Sequence, residues 1–157
     1  MADPIGSASD DSVLSVRECW ELLRTEEYGR LAVTCDDGPD VYPINAFVDH
    51  ATLVFRTAEG TKLDAIRADP RVAFEVDGYD PGRRTAWSVV VRGTAYEVSD
   101  HHEAVETVEL GVTPWQHRPK PAFVRITPTS VTGRRFERVD RAEWRIDGVQ
   151  LRPSPDD

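Results

Sequence analysis

One segment of the sequence combines residue types that bind phosphate. Over residues 55–63 an extended pattern ends at Arg56-Thr57, and a helical pattern opens at Thr61-Lys62 after a glycine turn. The first amides of a helix have no partner within it, and the helix dipole is positive there, so a phosphate would receive backbone donors as well as charge. The guanidinium, the ammonium and the two hydroxyls would complete the site. The alternative is that Thr61 only caps the helix and Lys62 is solvated.

Motifs of the better-known catalytic sites are absent from the sequence. It has no Walker loop, G-x-G-x-x-G fingerprint, G-x-S-x-G elbow or H-E-x-x-H pair, so P-loop, Rossmann, serine hydrolase and zincin functions have no support. No cysteine or carboxylate stands at ligand spacing from a histidine, and we predict no metal site. The histidines are His50, His101, His102 and His117. No side chain is identified as a nucleophile, acid or base, so the catalytic residues stay unassigned.

Length and charge limit the class of protein. The chain has 157 residues, a size typical of one domain, and its 28 acidic and 19 basic side chains give a formal net charge of −9. This balance repels nucleic acid and anionic membranes, so neither is expected as a partner, and a phosphate must be held by a local site. No apolar run approaches the roughly 20 residues of a membrane span.

The N-terminus and the cysteines indicate a compartment. Residues 1–11 lack the basic and apolar regions of a secretory signal, and Cys19 and Cys35 form no C-x-x-C pair, so we expect a cytoplasmic protein. We expect disordered tails over residues 1–12 and 151–157, with one folded domain over 13–150.

Alternating apolar residues predict a mainly β, α+β fold. We expect six strands, near residues 31–35, 41–48, 52–57, 72–76, 87–96 and 122–132. We expect three short helices, near residues 16–25, 63–68 and 100–110. Turn residues predict a hairpin at Asp36-Asp37-Gly38, a loop over 78–84 and a bulge at Gly93. Hairpin-connected strands favour an antiparallel barrel over a doubly wound parallel sheet.

Several of these segments together resemble the pyridoxamine 5′-phosphate oxidase-like flavoproteins. The resemblance is to the bacterial FMN-binding split-barrel branch, which includes deazaflavin-dependent and nitroimidazole-reductase-like proteins. The order and spacing of the motifs over residues 13–135 are more specific than any one of them. The motifs are Gly29-Arg30-Leu31-Ala32-Val33, Val41-Tyr42-Pro43-Ile44-Asn45, Leu53-Val54-Phe55-Arg56-Thr57, Gly60-Thr61-Lys62, Asp69-Pro70-Arg71-Val72-Ala73-Phe74 and Trp87-Ser88-Val89-Val90-Val91-Arg92-Gly93.

This resemblance implies a six-stranded antiparallel split barrel, a homodimer and FMN in the groove between the subunits. In the family one strand lays its backbone along the isoalloxazine ring. The resemblance therefore implies ring contacts at Tyr42, Pro43, Ile44 and Asn45. A proline suits such an edge because it has no N–H to donate to a neighbouring strand.

The other residues that match family motifs would bind the phosphate end of the cofactor or approach it from the second subunit. Arg56 and Thr57 match strand-end binders of the phosphate and ribityl chain, and Thr61 and Lys62 match the phosphate binders at the helix start. Ser88 stands where the oxidases have a glutamine that bonds the flavin from the partner chain. Trp87 is expected to stack on the cofactor or to fill the barrel seam.

The resemblance has one departure that bears on function. The C-terminal Trp and Arg signature of the oxidases has no clear match, although Trp115 and Gly133-Arg134-Arg135 could replace parts of it. Oxidation of vitamin B6 is therefore not expected.

The expected function is that of an FMN-dependent oxidoreductase. It would pass hydride or electrons from a reduced nicotinamide or a deazaflavin to a small planar electrophile. A flavin supplies its own reactive atom, so the protein needs no dedicated acid or base. The alternatives are an F420-dependent reductase and a protein that binds flavin or haem without turnover.

Overall fold

The structure, a computed structural model, describes residues 12–98 and 122–137. Two helices and eight strands lie in these ranges. In chain order they are β1 (Ser12–Val13), α1 (Val16–Thr25), β2 (Tyr28–Cys35), β3 (Gly38–Asn45), β4 (Phe47–Asp49), β5 (Thr52–Thr57), α2 (Thr61–Ala68), β6 (Arg71–Asp80), β7 (Thr85–Glu97) and β8 (Ala122–Glu137).

The strands form one antiparallel sheet that curls into a split barrel. Its order is β3-β2-β6-β7-β8-β5-β4, and β1 pairs with the far end of β8. The outermost strands β3 and β4 are joined through a single residue, Ala46, whose N–H donates to the Glu27 carbonyl at 2.8 Å. The predicted mainly β split barrel is confirmed. The six long strands are the predicted ones, β1 is a short addition, and β4 includes the end of the strand predicted over 41–48.

Alternation along the long strands fills the interior of the barrel. From Val72 to Val76 on β6 and from Trp87 to Ala95 on β7 every second residue is buried, among them Phe74 and Val91. On α2, Leu63 and Ile66 are also buried, so this helix contributes to the core instead of lying on the surface. Each fully buried side chain of this size contributes about 1.5–3 kcal/mol relative to exposure.

The first helix begins where the sequence predicts. The Ser15 hydroxyl accepts from the Glu18 N–H at 3.2 Å, and a Glu18 carboxylate oxygen accepts from the Ser15 N–H at 2.8 Å. This capping box satisfies two amides at the helix start. Cys19 and Leu23 then face the core.

The predicted bulge at Gly93 is also confirmed, since the β7–β8 register shifts between Arg92 and Gly93. A β-carbon at Gly93 would overlap the Thr127 carbonyl oxygen, so the backbones of the two strands approach too closely there for a side chain. This close approach explains why glycine occupies the bulge.

Several boundaries differ from those predicted, and β2, β3 and α2 each begin two or three residues earlier. The loop expected over 78–84 is a turn over residues 81–84, because β6 continues to pair with β7 as far as Asp80 opposite Thr85. The strand expected over 41–48 breaks at Ala46, where the chain turns into β4. The last strand runs beyond residue 132 to Glu137, since its pairing with β7 continues that far.

Some predicted features lie outside the described residues. These are the helix near 100–110, Trp115, the C-terminal tail, and the N-terminal tail except for Ser12, which begins β1. Neither α1 nor α2, the helices within the described ranges, combines the length and hydropathy needed to cross a bilayer.

Candidate phosphate site at the start of the second helix

The N-terminus of α2 is open to a ligand. Its N-cap is Gly60, which has φ +150° and no side chain that could accept from the first amides. A β-carbon built at Gly60 would meet no atom of residues 12–98 or 122–137 within 4 Å, so these residues leave an approach over Gly60 open. The alternative in which Thr61 caps the helix is wrong, because Thr61 is the first helical residue.

Three of the predicted site residues meet at this helix start. The Tyr42 hydroxyl oxygen of β3 lies 3.2 Å from the Thr61 hydroxyl oxygen. The Lys62 ammonium lies 5.2 Å from the centroid of the Tyr42 ring, within the range of a cation–π contact. A hydroxyl, an ammonium and a helix N-terminus thus converge on one place, which we call the α2 cluster: Tyr42, Thr61 and Lys62.

An acidic residue adjoins the α2 cluster. The Tyr42 hydroxyl donates to the Asp40 carboxylate at 3.2 Å, and the Cys35 thiol donates to the same oxygen at 3.8 Å. Burial, and then the Asp40 charge, raise the pKa of the Cys35 thiol. Sequence reasoning missed Asp40, although residues two apart on a strand point to the same face and Asp40 precedes Tyr42 by two.

The acidic residue just before the helix is neutralised by its neighbours. Both carboxylate oxygens of Glu59 accept from the Arg67 guanidinium, at 2.8 and 3.0 Å. Arg67 also donates to Glu97 at the end of β7, at 2.9 Å. These bonds raise the pKa of Arg67 and lower that of Glu59. The Glu59 charge next to Gly60 is therefore held in an ion pair on the side of α2.

The structure separates the two predicted residues at the end of β5. Consecutive strand residues point to opposite faces of a sheet. Thr57 is 3% exposed, and its hydroxyl donates to the Ala58 carbonyl at 3.3 Å. The Arg56 guanidinium instead lies over the Phe123 ring of β8, 5.0 Å from the centroid, and its Nε atom is buried. Arg56 and Thr57 therefore cannot both point toward the α2 cluster from these positions.

The residues predicted to touch the ring lie on an edge strand. In the described sheet β3 pairs only with β2. Pro43 is exposed, whereas Asn45 is buried and Ile44 belongs to the hydrophobic core. Among the described strands the outer edge of β3 is unpaired, next to the place where Tyr42 reaches α2.

Trp87 and Ser88 lie at the opposite end of β7 from α2. The Trp87 side chain is 8% exposed and covers Gly78, where a β-carbon would meet the indole at 2.5 Å. Ser88 points to the other face, in register with Asp77 and Arg134. It precedes Glu97, which contacts α2 through Arg67, by about 30 Å along the strand at ~3.3 Å per residue. Within one chain Ser88 is not part of the α2 cluster.

A sequence model of the pyridoxamine 5′-phosphate oxidase family matches residues 15–135 of this chain. That match spans every described helix and all strands from β2 to most of β8. The chain belongs to the pyridoxamine 5′-phosphate oxidase family. The family resemblance inferred from the six sequence motifs is thereby confirmed.

Several related proteins match most of the chain. An uncharacterized protein of Mycobacterium tuberculosis, Rv0080, is 36% identical over 135 residues, covering 83% of this chain and 88% of its own. The structure of an FAD-binding protein from Mycobacterium smegmatis superimposes with a TM-score of 0.66 and is 41% identical, covering 80% of this chain and 97% of its own. An FAD-binding protein of Mesorhizobium loti gives the same TM-score and coverage at 30% identity.

Proposed function

We propose that this protein binds FMN and acts as a flavin-dependent oxidoreductase. The observation that supports the proposal is the α2 cluster, where Tyr42, Thr61 and Lys62 meet at a glycine-capped helix start. Membership of the pyridoxamine 5′-phosphate oxidase family and the FAD-binding relatives give independent support.

The residues of the cluster fit a phosphate monoester. Such a group carries about −1.5 to −2 charges at pH 7 and three strong acceptor oxygens. Lys62 would supply the positive charge, Thr61 a hydroxyl, and the first turn of α2 its amides. The protein has a net charge of −9, so this local set of donors would have to hold the anion against the overall field.

The flavin, when bound, supplies the hydride chemistry, and the chain binds and orients it. We propose that electrons pass from a reduced nicotinamide or a deazaflavin to a small planar electrophile such as a nitro, quinone or enone compound. The edge of β3 would contact the ring at the exposed Pro43. The free thiols of Cys19 and Cys35 fit a reducing cytoplasm, where we propose the protein acts.

We also propose a homodimer in which the partner completes the cofactor site. Ser88 lies too far from α2 to reach a phosphate bound there in its own chain. A contact from this residue, as in the family's oxidases, would come from a second copy. The native mass would then be twice 17.6 kDa.

A second candidate cofactor is FAD, which the descriptions of the relatives from M. smegmatis and M. loti favour. In FAD a diphosphate links the flavin to adenosine, whereas FMN ends in a phosphate monoester. FAD would therefore place less charge on the phosphate nearest the ring. Because the start of α2 would hold the phosphate of either flavin, the measured affinities for FMN and FAD decide between them.

The experiment is to purify the protein, record its visible absorbance and titrate the apoprotein with FMN, FAD, F420 and haem. We expect a flavin spectrum and the tightest binding for FMN, followed by reduction of the bound flavin by NADH, NADPH or reduced F420. A protein that binds F420 or haem tightly and FMN weakly would overturn the proposal. A protein that binds FMN but is never reduced would be a flavin-binding protein without turnover.

A further inference from the structure

Two hydroxyls and a carboxylate form a directed hydrogen-bond chain across the α2 cluster. The Tyr42 hydroxyl has one hydrogen, which it donates to the Asp40 carboxylate at 3.2 Å. In the 3.2 Å contact between Tyr42 and Thr61, the hydrogen must then come from Thr61. The chain runs from Thr61 to Tyr42 to Asp40. The only hydroxyl hydrogen of Thr61 is therefore directed away from an incoming anion.

The charge at the end of this chain opposes an anion as well. Asp36 and Asp37, in the turn between β2 and β3, act together with Asp40 to raise the pKa of the Cys35 thiol. Asp40 is the one of these carboxylates that contacts Tyr42. Lys62, held over the Tyr42 ring, is the positive charge of the cluster.

We propose that Asp40 is a positioning residue that competes with the cofactor's phosphate for the donors of the α2 cluster. This inference rests on the proposed phosphate site. Asp40 acts through Tyr42: it accepts the tyrosine hydrogen, and the tyrosine oxygen in turn accepts from Thr61. A phosphate that binds must draw the Thr61 hydrogen away from Tyr42. Asp40 thereby weakens the hold on the phosphate and keeps the bound flavin exchangeable.

This role predicts an effect opposite to that of an ordinary contact. Asp40→Asn removes the charge but keeps an oxygen that can accept from Tyr42. Tyr42→Phe removes the hydroxyl, releases the Thr61 hydrogen and keeps a ring for Lys62 to face. Both changes should tighten FMN binding. We expect about three- to tenfold from Asp40→Asn, which removes a charge at this range in a solvated site, and up to about tenfold from Tyr42→Phe, which frees the Thr61 hydrogen bond. A residue that simply contacts the phosphate would weaken binding when truncated.

The matched control is Asp37→Asn. It removes the same charge three residues away, in the turn before β3, without entering the hydrogen-bond chain, so its effect should stay within about twofold. The dissociation constants of FMN for the wild type and the three variants are measured by quenching of flavin fluorescence. Thermal unfolding of each variant verifies that the fold is intact.

The outcomes are distinct. Tighter binding by Asp40→Asn and Tyr42→Phe, but not by Asp37→Asn, supports the inference. Equal effects of Asp40→Asn and Asp37→Asn, or weaker binding by Tyr42→Phe, overturn it. If the wild type binds no flavin, the proposed function fails instead. The same proteins are then titrated with inorganic phosphate. If Asp40→Asn leaves the affinity for phosphate unchanged, the inference is overturned.

Discussion

The hydroxyl oxygen of Tyr42 lies 3.2 Å from that of Thr61, and this contact joins the edge strand β3 to the first residue of α2. The same tyrosine ring faces the Lys62 ammonium. One aromatic residue from another element therefore contacts both side chains that we propose bind the phosphate, and the anion must compete with it for the Thr61 hydrogen.

Loss of the ammonium should weaken cofactor binding without harming the fold. A charge-assisted contact contributes about 1.5–3 kcal/mol, so Lys62→Ala should raise the dissociation constant for FMN by one to two orders of magnitude. Arg17→Ala is the control, because it removes one positive charge from an exposed pair on α1. Fluorescence titration measures both variants, and equal affinity of Lys62→Ala and wild type would count against the site.

Packing between Gly78 and Trp87 should be sensitive to a single methyl group. A β-carbon at Gly78 would overlap the indole, so Gly78→Ala should lower the free energy of unfolding by about 1–3 kcal/mol. Gly82→Ala, in the neighbouring turn, would meet only the Asp80 carboxylate at 3.3 Å and should change stability little. Urea unfolding compares the two variants. Equal stability of both would show that the sheet shifts to admit the methyl.

The ion pair between Asp49 and Arg125 should make stability depend on pH. The Arg125 guanidinium lies 2.6 Å from the Asp49 carboxylate and lowers its pKa below the usual value. This stabilisation is fully present above the unfolded-state pKa of about 4 and is lost as the pH falls through the lower folded-state value.

Asp49→Asn should therefore destabilise the protein by about 1.5–3 kcal/mol at pH 7, and the difference from the wild type should shrink toward pH 2. Glu21→Gln, which breaks an exposed pair with Arg17 on α1, is the control and should have a small effect at both pH values. Denaturant unfolding at several pH values provides the test. A difference independent of pH would rule out the charge as its source.

The oligomeric state should follow from the position of Ser88. If a second copy contributes to the cofactor site, light scattering should give a mass of twice 17.6 kDa, and dilution into monomers should release FMN. A monomer that retains FMN would refute the shared site.

The sequence predicts most of the fold because its signals are local. The capping box at Ser15, the strand alternation and the glycine bulge at Gly93 each depend on neighbouring residues, and each is confirmed. The strand β6 continues past residue 78, where a loop is expected, because glycine at this position is typical of loops but here belongs to the sheet. Its role depends on Trp87, nine positions away, whose indole occupies the space of a side chain.

The candidate site can be predicted only in part from local sequence signals. The segment from Arg56 to Lys62 has a recognisable spacing, but spacing does not reveal that Arg56 turns toward Phe123 while Tyr42 turns toward Thr61. These orientations depend on which strands become neighbours in the sheet. Asp40 was missed for the same reason, since its importance arises only from the contact that Tyr42 makes across nineteen positions.

The prolines of β3 have a consequence for the solubility of the protein. In an antiparallel pair, alternate residues direct their N–H groups away from the partner strand. Proline has no N–H to donate to β2. Pro39 and Pro43 both belong to residues 39, 41, 43 and 45, the set whose N–H positions face away from β2. Half of the outward donors are therefore missing, and a strand from another molecule would find too few hydrogen bonds to extend the sheet into an aggregate.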